Sequence, residues 1–130
     1  MPHYSLRESA TVLGVSVDTV RRWVDGDRLP AVIDEQGRRA VEGRDLAAFA
    51  VSLAGASDRP GTASSMRNRF AGIVTRVVRG DVAAQVEVQS GPHRLVSLLT
   101  REAVDELNLQ EGDRAVAIVK ATNVAVELSP

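Results

Sequence analysis

The apolar positions follow different periods in the two halves of the chain. Over residues 4–53 they recur every three or four residues, as in amphipathic helices, whereas over residues 66–128 they largely alternate, as in half-buried strands. The segment between them, residues 55–64, is small, polar and interrupted by Pro60 and Gly61, which is typical of a flexible linker. The pattern predicts an α+β protein of two domains, residues 1–54 and 65–130, joined by this linker.

The first half predicts three helices and a hairpin. Ser5 and Glu8 form a capping-box pattern at the start of a first helix, and Ser16 is positioned to cap a second helix. Gly26 suits a left-handed cap at the end of that second helix. The other predicted elements are two short strands and a third helix, at residues 31–33, 39–41 and 44–53. This order is the layout of a small, mainly α-helical, winged helix-turn-helix domain.

Short motifs support that layout, and they lie at residues 7–10, 13–16, 19–23, 26, 29–30, 37–39 and 45–46. Together they resemble the excisionase-like branch of the MerR-type DNA-binding domains. The resemblance covers nearly all of residues 4–53, and Ser9 departs from it because the family usually has Ala there. The resemblance implies binding to double-stranded DNA.

Groove geometry indicates which residues contact DNA. A recognition helix enters the major groove by its N-terminal end, and the hairpin tip reaches phosphates or an adjacent groove. The predicted DNA-contacting residues are Ser16, Asp18, Thr19, Arg21, Arg22, Arg38 and Arg39. The alternative is a solvated charged face, since residues 1–54 carry seven Arg against eight Asp and Glu and so offer no net basic field.

The second half predicts five strands and one short helix. A long strand over residues 66–78 changes its apolar phase near Gly72, which indicates a bulge or bend there. The other predicted elements are strands at residues 82–88, 94–99, 114–120 and 124–128 and a helix at residues 101–107 capped by Thr100. This is the layout of a five-stranded OB-type β-barrel, a fold whose members bind oligonucleotides, sugars or anions.

Ordered motifs narrow that choice. Ser65-Met66-Arg67-Asn68 opens the second half and Lys120-Ala121-Thr122-Asn123 comes near its end, with further motifs at residues 70–72, 96–100 and 109–113. Together they closely resemble the molbindin, or Mop, domain of the TOBE superfamily. The resemblance implies that the ligand is molybdate or tungstate, bound as an oxyanion without a metal cation.

Such a dianion has four acceptor oxygens and no proton to donate, so a selective site offers hydrogen-bond donors and little carboxylate. Arg67 and Lys120 supply positive charge, hydroxyls and amides supply further donors, and successive N–H groups around Ala121–Asn123 form an anion-binding nest. The full candidate set is Ser65, Arg67, Asn68, Thr100, Lys120, Ala121, Thr122 and Asn123. Ala103 is a departure, because some relatives carry a hydroxyl there.

The resemblance also implies a homo-oligomer, commonly a hexamer built from dimers. In it residues 65–68 of one chain meet residues 120–123, together with Thr100, of another chain. Oxyanion binding and assembly are therefore one prediction.

Composition excludes several classes of protein. The absence of cysteine excludes a disulfide scaffold. No apolar run approaches the length of a membrane span and the first residues do not resemble a signal peptide, so a cytoplasmic protein without a membrane partner is expected. We expect no enzyme, because the sequence offers no phosphate loop, no clustered catalytic carboxylates and no His beside a plausible nucleophile.

Three functions stay open. The chain is an oxyanion-responsive transcriptional regulator, an intracellular oxyanion carrier or store that its helix-turn-helix tethers, or a nucleic-acid-binding protein without oxyanion sensing. The third is disfavoured because Phe70 is the only aromatic residue in the barrel half, and single-strand binding needs stacking surfaces.

Overall fold

A computed structural model of the chain describes residues 2–55 and 65–130. These residues form two compact units, one on each side of residues 56–64. The predicted linker, residues 55–64, lies outside the described residues except for Gly55. No helix in the described ranges is long and apolar enough to cross a membrane.

The first unit combines three helices with a small antiparallel sheet. Its elements are β1 (His3–Ser5), α1 (Leu6–Leu13), α2 (Val17–Asp25), β2 (Val32–Ile33), β3 (Arg39–Glu42) and α3 (Gly43–Ala54). The sheet order is β1-β3-β2, so the predicted hairpin is present and gains a third strand. Strand β1 was not predicted, because three residues are too short to show an alternating pattern.

Side-chain caps fix where the first two helices begin. The Ser5 hydroxyl accepts a hydrogen bond from the Glu8 N–H at 3.0 Å, and the Glu8 carboxylate accepts one from the Ser5 N–H at 3.0 Å. The predicted capping box is thus confirmed. At α2 the Ser16 hydroxyl accepts from the Thr19 N–H at 3.1 Å, as predicted.

The end of α2 differs from the prediction. Gly26 has φ −88° and is not left-handed, whereas Asp27, the next residue, has φ +59°. The prediction for Gly26 was therefore wrong by one residue. Asp is among the few residues with a side chain that visit the left-handed region readily, so glycine is not needed there.

The apolar faces of the three helices pack together in one hydrophobic core. Val20 and Val41 are fully buried, with Leu29 and Leu46 nearly so. The Trp23 and Phe49 rings pack edge to face, with centroids 5.0 Å apart and planes at 61°. Trp23 therefore serves core packing, as its position on the edge of the α2 stripe predicts.

The second unit is a curled four-stranded sheet with one helix. Its elements are β4 (Asn68–Arg79), β5 (Ala83–Ser90), β6 (His93–Thr100), α4 (Arg101–Leu107) and β7 (Arg114–Val119), followed by a 3-10 turn (Ala121–Asn123). The strand order is β6-β5-β4-β7, all antiparallel. Ile73 pairs with both Gln89 of β5 and Arg114 of β7, so β4 is shared between two ladders.

The irregularity predicted near Gly72 lies slightly further along β4. The register with β5 shifts between Val74 and Arg76, which places the bulge at Thr75. Gly72 itself is the point where β4 passes very close to the backbone of Gln89. One phase change in the sequence therefore reflects two neighbouring features, a close approach and a bulge.

The fifth strand of the predicted barrel is not confirmed. Residues 124–130 have no strand structure, and Val126 and Leu128 are 91% and 97% exposed. The alternation of these residues is typical of a strand, but a strand forms only where a ladder partner is available. Among the described residues the segment has no ladder partner, and the second unit is a half-barrel.

Candidate functional site

Two segments of the predicted oxyanion site meet at one end of the second sheet. Asn68, the first residue of β4, pairs with Val119, the last residue of β7. Because the strands are antiparallel, residues 65–67 and residues 120–123 leave the sheet at the same end. The Asn68 side-chain amide Nδ2 donates to the Val119 carbonyl at 3.1 Å and ties the two segments together.

The second segment is shaped by the 3-10 turn. The Asn123 N–H donates to the Lys120 carbonyl at 2.9 Å, and the Val124 N–H donates to the Ala121 carbonyl at 3.3 Å. The N–H groups of Ala121 and Thr122 come first in the turn and have no acceptor within it. The Asn123 N–H is already used within the turn, so the predicted anion-binding nest consists of the other two successive N–H donors.

The chemistry of this end of the sheet suits an anion. Neither segment contains a carboxylate, and each contributes one cationic side chain, Arg67 or Lys120. Ser65, Arg67 and the whole of the Ala121–Asn123 turn are exposed, whereas Asn68 is half-buried. The cluster thus offers two positive charges, hydroxyl and amide donors and two backbone N–H groups to solvent.

This arrangement differs from the expectation in one respect. The family resemblance implied that residues 65–68 and 120–123 come from different chains, whereas the β4–β7 register makes them neighbours within one chain. The reason is geometric, since the start and the end of an antiparallel pair are adjacent by construction.

Thr100 lies at the opposite end of the sheet. It pairs with Ala83, and the next residue, Ala84, pairs with Arg79 at the far end of β4. The path along β4 from Asn68 is about 36 Å at about 3.3 Å per residue. Within one chain Thr100 is therefore not brought together with the other candidates.

The surroundings of Thr100 are also less suited to an anion. Its hydroxyl oxygen accepts from the Ala103 N–H at 3.1 Å, so it caps α4 as predicted and keeps its proton to donate. The open cleft around it is lined by Val82 and by five charged residues, namely Asp81, Arg101, Glu102, Asp105 and Glu106. Arg101 is engaged by Asp105 at 3.2 Å, which leaves the cleft acidic overall.

The predicted DNA-contacting residues of α2 form a local network. The Ser16 and Thr19 hydroxyls lie 2.9 Å apart, and Arg22 donates to the Thr19 hydroxyl at 3.2 Å. Arg21 pairs with Asp18 at 3.2 Å. Ser16, Asp18 and Thr19 lie at the N-terminal end of α2, where a recognition helix offers side chains to a groove, whereas Arg22 lies in its last turn.

The hairpin presents its two arginines differently. Asp34 accepts hydrogen bonds from the N–H groups of Gln36 and Arg38, which orders the turn and leaves the Arg38 side chain 76% exposed. Arg38 has only a long contact of 4.0 Å with the Asp34 carboxylate, whereas Arg39 forms a close ion pair with Asp25 of α2 at 2.6 Å. Arg21, Arg38 and Arg39 line one cleft together with Glu8 and Asp34, so the structure brings α2 and the hairpin to a common charged surface.

Sequence reasoning missed the role of Asp25. Its contact with Arg39 joins the end of the recognition helix to the hairpin across 14 positions of sequence. Neither helical nor strand periodicity relates residues so far apart, so the pattern of the chain gave no signal for this pair.

Comparison with known protein families supports both domain types. Residues 64–126 match the TOBE domain, and residues 4–51 match a helix-turn-helix domain. These matches confirm the two kinds of domain that the sequence motifs predict, in the predicted order.

Individual relatives match chiefly through the second half. "Molybdenum transport protein ModE" of Herbaspirillum seropedicae is 34% identical over 76 residues, which are 58% of this chain and 28% of that protein. "Molybdenum-pterin-binding protein 2" of Clostridium pasteurianum is 33% identical over 63 residues, which are 48% of this chain and 93% of that protein. The chain thus spans less than a third of ModE but nearly all of the smaller relative.

A solved structure shares the fold of the second unit. A molybdate-binding protein from Sporomusa ovata is 33% identical and superposes with a TM-score of 0.50, over 52% of this chain and all of that chain. The fold, the sequence identity and the coverage all support the same family assignment for this half of the sequence. Through residues 64–126 the chain belongs to the TOBE-domain family, and it carries a helix-turn-helix domain in front.

Proposed function

We propose that this protein is an oxyanion-responsive transcriptional regulator that binds molybdate or tungstate and double-stranded DNA. The observation that carries the proposal is the union, in one chain, of a helix-turn-helix domain with a TOBE half-barrel whose end presents Arg67 and Lys120 without a carboxylate. The relatives named for molybdenum or molybdate support the choice of ligand. The role is one of binding in the cytoplasm, without catalysis.

The donor set accounts for the ligand. Arg67 and Lys120 balance a charge of −2, and the Ala121 and Thr122 N–H groups point fixed dipoles towards the same anion. Ser65, Thr122 and Asn123 add side-chain donors. Molybdate and tungstate have the same charge and nearly the same size, so one donor set serves both.

The site is completed by a second copy of the chain. Thr100 lies at the far end of β4 from Arg67, so an oxyanion that contacts both is held between two chains. We expect a homo-oligomer, a hexamer built from dimers as the family resemblance implies.

The open barrel supports the same assembly. Strands β6 and β7 are the edges of the described sheet, and between them lies an apolar cavity of about 520 Å³, lined by residues that include Val86, Leu95 and Leu109. Residues 124–128 carry exposed aliphatic side chains and belong to no strand of the described sheet. Such a segment from a second copy closes the barrel as its fifth strand and removes both unpaired edges.

The first unit supplies DNA recognition of the MerR-like, excisionase-related type. Helix α2 enters the major groove, and Arg38 at the hairpin tip contacts the phosphate backbone. Oxyanion that bridges chains stabilises one assembly, which changes the spacing of the paired recognition helices and so the affinity for an operator.

A second function is favoured by one observation. The C. pasteurianum relative consists almost entirely of the matched domain, since 93% of it aligns with this half-barrel. A TOBE domain of this kind therefore exists without a DNA-binding partner domain. The alternative is an oxyanion carrier or store in which the helix-turn-helix serves as a tether.

Calorimetric titration tests the ligand. The full-length protein is expected to release heat with molybdate and with tungstate, and much less with sulfate. Arg67→Ala is expected to abolish that heat, whereas Arg114→Ala, at the opposite end of β7, is the matched control and keeps it. Equal binding of all three anions, or of none, contradicts the proposed ligand.

A mobility-shift assay separates regulator from carrier. DNA flanking the gene that encodes the protein is titrated at low salt, with and without molybdate. A shift whose midpoint moves with molybdate supports the regulator. A shift that ignores molybdate supports a tether, and no shift with any fragment removes the DNA-binding role.

A further inference from the structure

We infer that Asn68 is the positioning residue of the oxyanion site. Its side chain acts as a clamp that sets the separation of the two cationic residues of the site, Arg67 and Lys120, which we call the two arms. The inference rests on the proposed function and deepens it. Asn68 follows Arg67 directly in the chain, and its hydrogen-bond acceptor, Val119, directly precedes Lys120. One side-chain hydrogen bond of 3.1 Å therefore joins the residue next to Arg67 to the residue next to Lys120.

The clamp sits where the backbone ladder stops. Asn68 and Val119 form the last pair of the β4–β7 register, and beyond them the chain continues as residues 65–67 on one side and as the 3-10 turn on the other. The last pair of a ladder opens most easily, because it has a neighbour on one side only. The Asn68 side-chain amide, which donates a hydrogen bond across that pair, takes the place of the next backbone hydrogen bond of the ladder.

The chemistry of the side chain fits a clamp better than a ligand. An asparagine amide carries an acceptor oxygen as well as donors, and a site for a dianion has no use for an acceptor. Its Nδ2 is directed to a backbone carbonyl, and the residue is half-buried while the arms are exposed. Arg67, Lys120 and the two N–H groups of the turn supply the donors.

The consequence is selectivity by size. Two arms held at a fixed separation favour one diameter of tetrahedral anion, whereas two loose arms adapt to several. Loss of the clamp is expected to lower affinity for molybdate about tenfold, the size of loss seen when an orienting partner is removed at a metal site. It is also expected to bring the affinities for molybdate and sulfate closer together.

The test compares Asn68→Ala with Gln89→Ala in the full-length protein. Gln89 is the matched control, because its amide donates to the Gly91 carbonyl at 2.9 Å in a turn at the end of β5. Affinities for molybdate and sulfate are measured by calorimetry. Separately, ¹⁵N relaxation of the anion-free protein gives order parameters for Lys120, the Ala121–Asn123 turn and Val124.

If Asn68 is the clamp, Asn68→Ala lowers those order parameters from about 0.85 towards about 0.6. The same variant binds molybdate more weakly and has a smaller ratio of molybdate affinity to sulfate affinity. Gln89→Ala changes none of these quantities. Weaker binding with unchanged order parameters overturns the inference and makes Asn68 a direct ligand. Unchanged binding overturns it as well. If the unaltered protein binds neither anion, the proposed function fails, and the order parameters alone still decide whether Asn68 holds the turn.

Discussion

Gly72 of β4 and Gln89 of β5 approach so closely that a Cβ atom on Gly72 would lie 2.1 Å from the Gln89 carbonyl oxygen. The obstructing atoms are backbone, so they do not move aside as the end of a flexible side chain would. Immediately after this point β4 passes from its ladder with β7 to its ladder with β5. The close approach lets one strand serve both ladders.

Gly72→Ala is expected to destabilise the second unit by about 2 kcal/mol or more, since overpacking against backbone forces the strands apart. The free energy of unfolding is measured by urea denaturation. Ala71→Ser, at the exposed position next to it, is the control and is expected to change stability by less than about 0.5 kcal/mol. Equal stability of Gly72→Ala and the unaltered protein contradicts the close approach.

A buried carboxylate makes the second unit sensitive to acid. The hydrogen bond from Arg94 lowers the pKa of Glu87 below its usual value, against a smaller opposing effect of burial. Because the folded-state pKa is depressed, the stabilisation is present above the unfolded-state value of about 4.3 and is lost as the pH falls through the folded-state value.

Glu87→Gln is therefore expected to reduce the loss of thermal stability on acidification from about pH 5 to about pH 3, the range in which carboxylates titrate. Melting of the second unit is followed by circular dichroism. Glu111→Gln, in an exposed turn, serves as the comparison and keeps the original acid sensitivity. Parallel pH profiles for Glu87→Gln and the unaltered protein would show that the Arg94 contact contributes nothing.

The two hairpin arginines are expected to differ in DNA binding. Arg38 is largely exposed, so Arg38→Ala lowers affinity for all sequences alike and reduces the dependence of log affinity on log salt by about 1. Arg39 is paired with Asp25, so Asp25→Ala frees its charge and raises affinity. Fluorescence anisotropy at several salt concentrations measures both effects. If Asp25→Ala weakens binding, the ion pair orders the DNA-binding surface rather than neutralising it.

Assembly is expected to depend on the exposed C-terminal segment. Val126→Asp with Leu128→Asp introduces charge into a segment that we propose enters the apolar cavity between β6 and β7 of another copy, and charge is strongly disfavoured there. The oligomer is expected to dissociate in sedimentation-velocity experiments. Glu127→Gln, between the two, leaves the oligomer intact. A monomer formed by both variants, or by neither, contradicts the proposed strand exchange.

Local rules predicted correctly where three of the helices begin. The Ser5–Glu8 capping box and the Thr100 cap each depend on residues three positions apart, so the sequence contains all the information they need. The left-handed residue at the end of α2 was misplaced by one position, because Asp27 as well as Gly26 tolerates that conformation.

Non-local features were harder to predict. The pairing of Asp25 with Arg39 and the meeting of Arg67 with Lys120 at one end of the sheet depend on how distant segments pair. The missing fifth strand has a different cause. Residues 124–128 alternate as a strand does, but a strand needs a partner edge, and pattern alone does not say whether one is available.

The β4–β7 register makes residue spacing, rather than residue identity, the sensitive property of the oxyanion site. Most side chains of residues 69–73 can change without altering where Arg67 emerges, whereas one inserted residue slips the pairing and turns Arg67 to the opposite face of the sheet. Variation by substitution is thus tolerated along this stretch except at Gly72, and variation by insertion or deletion is not. A chain that keeps Arg67 and Lys120 but differs by one residue within this ladder is expected to retain the fold and lose the anion.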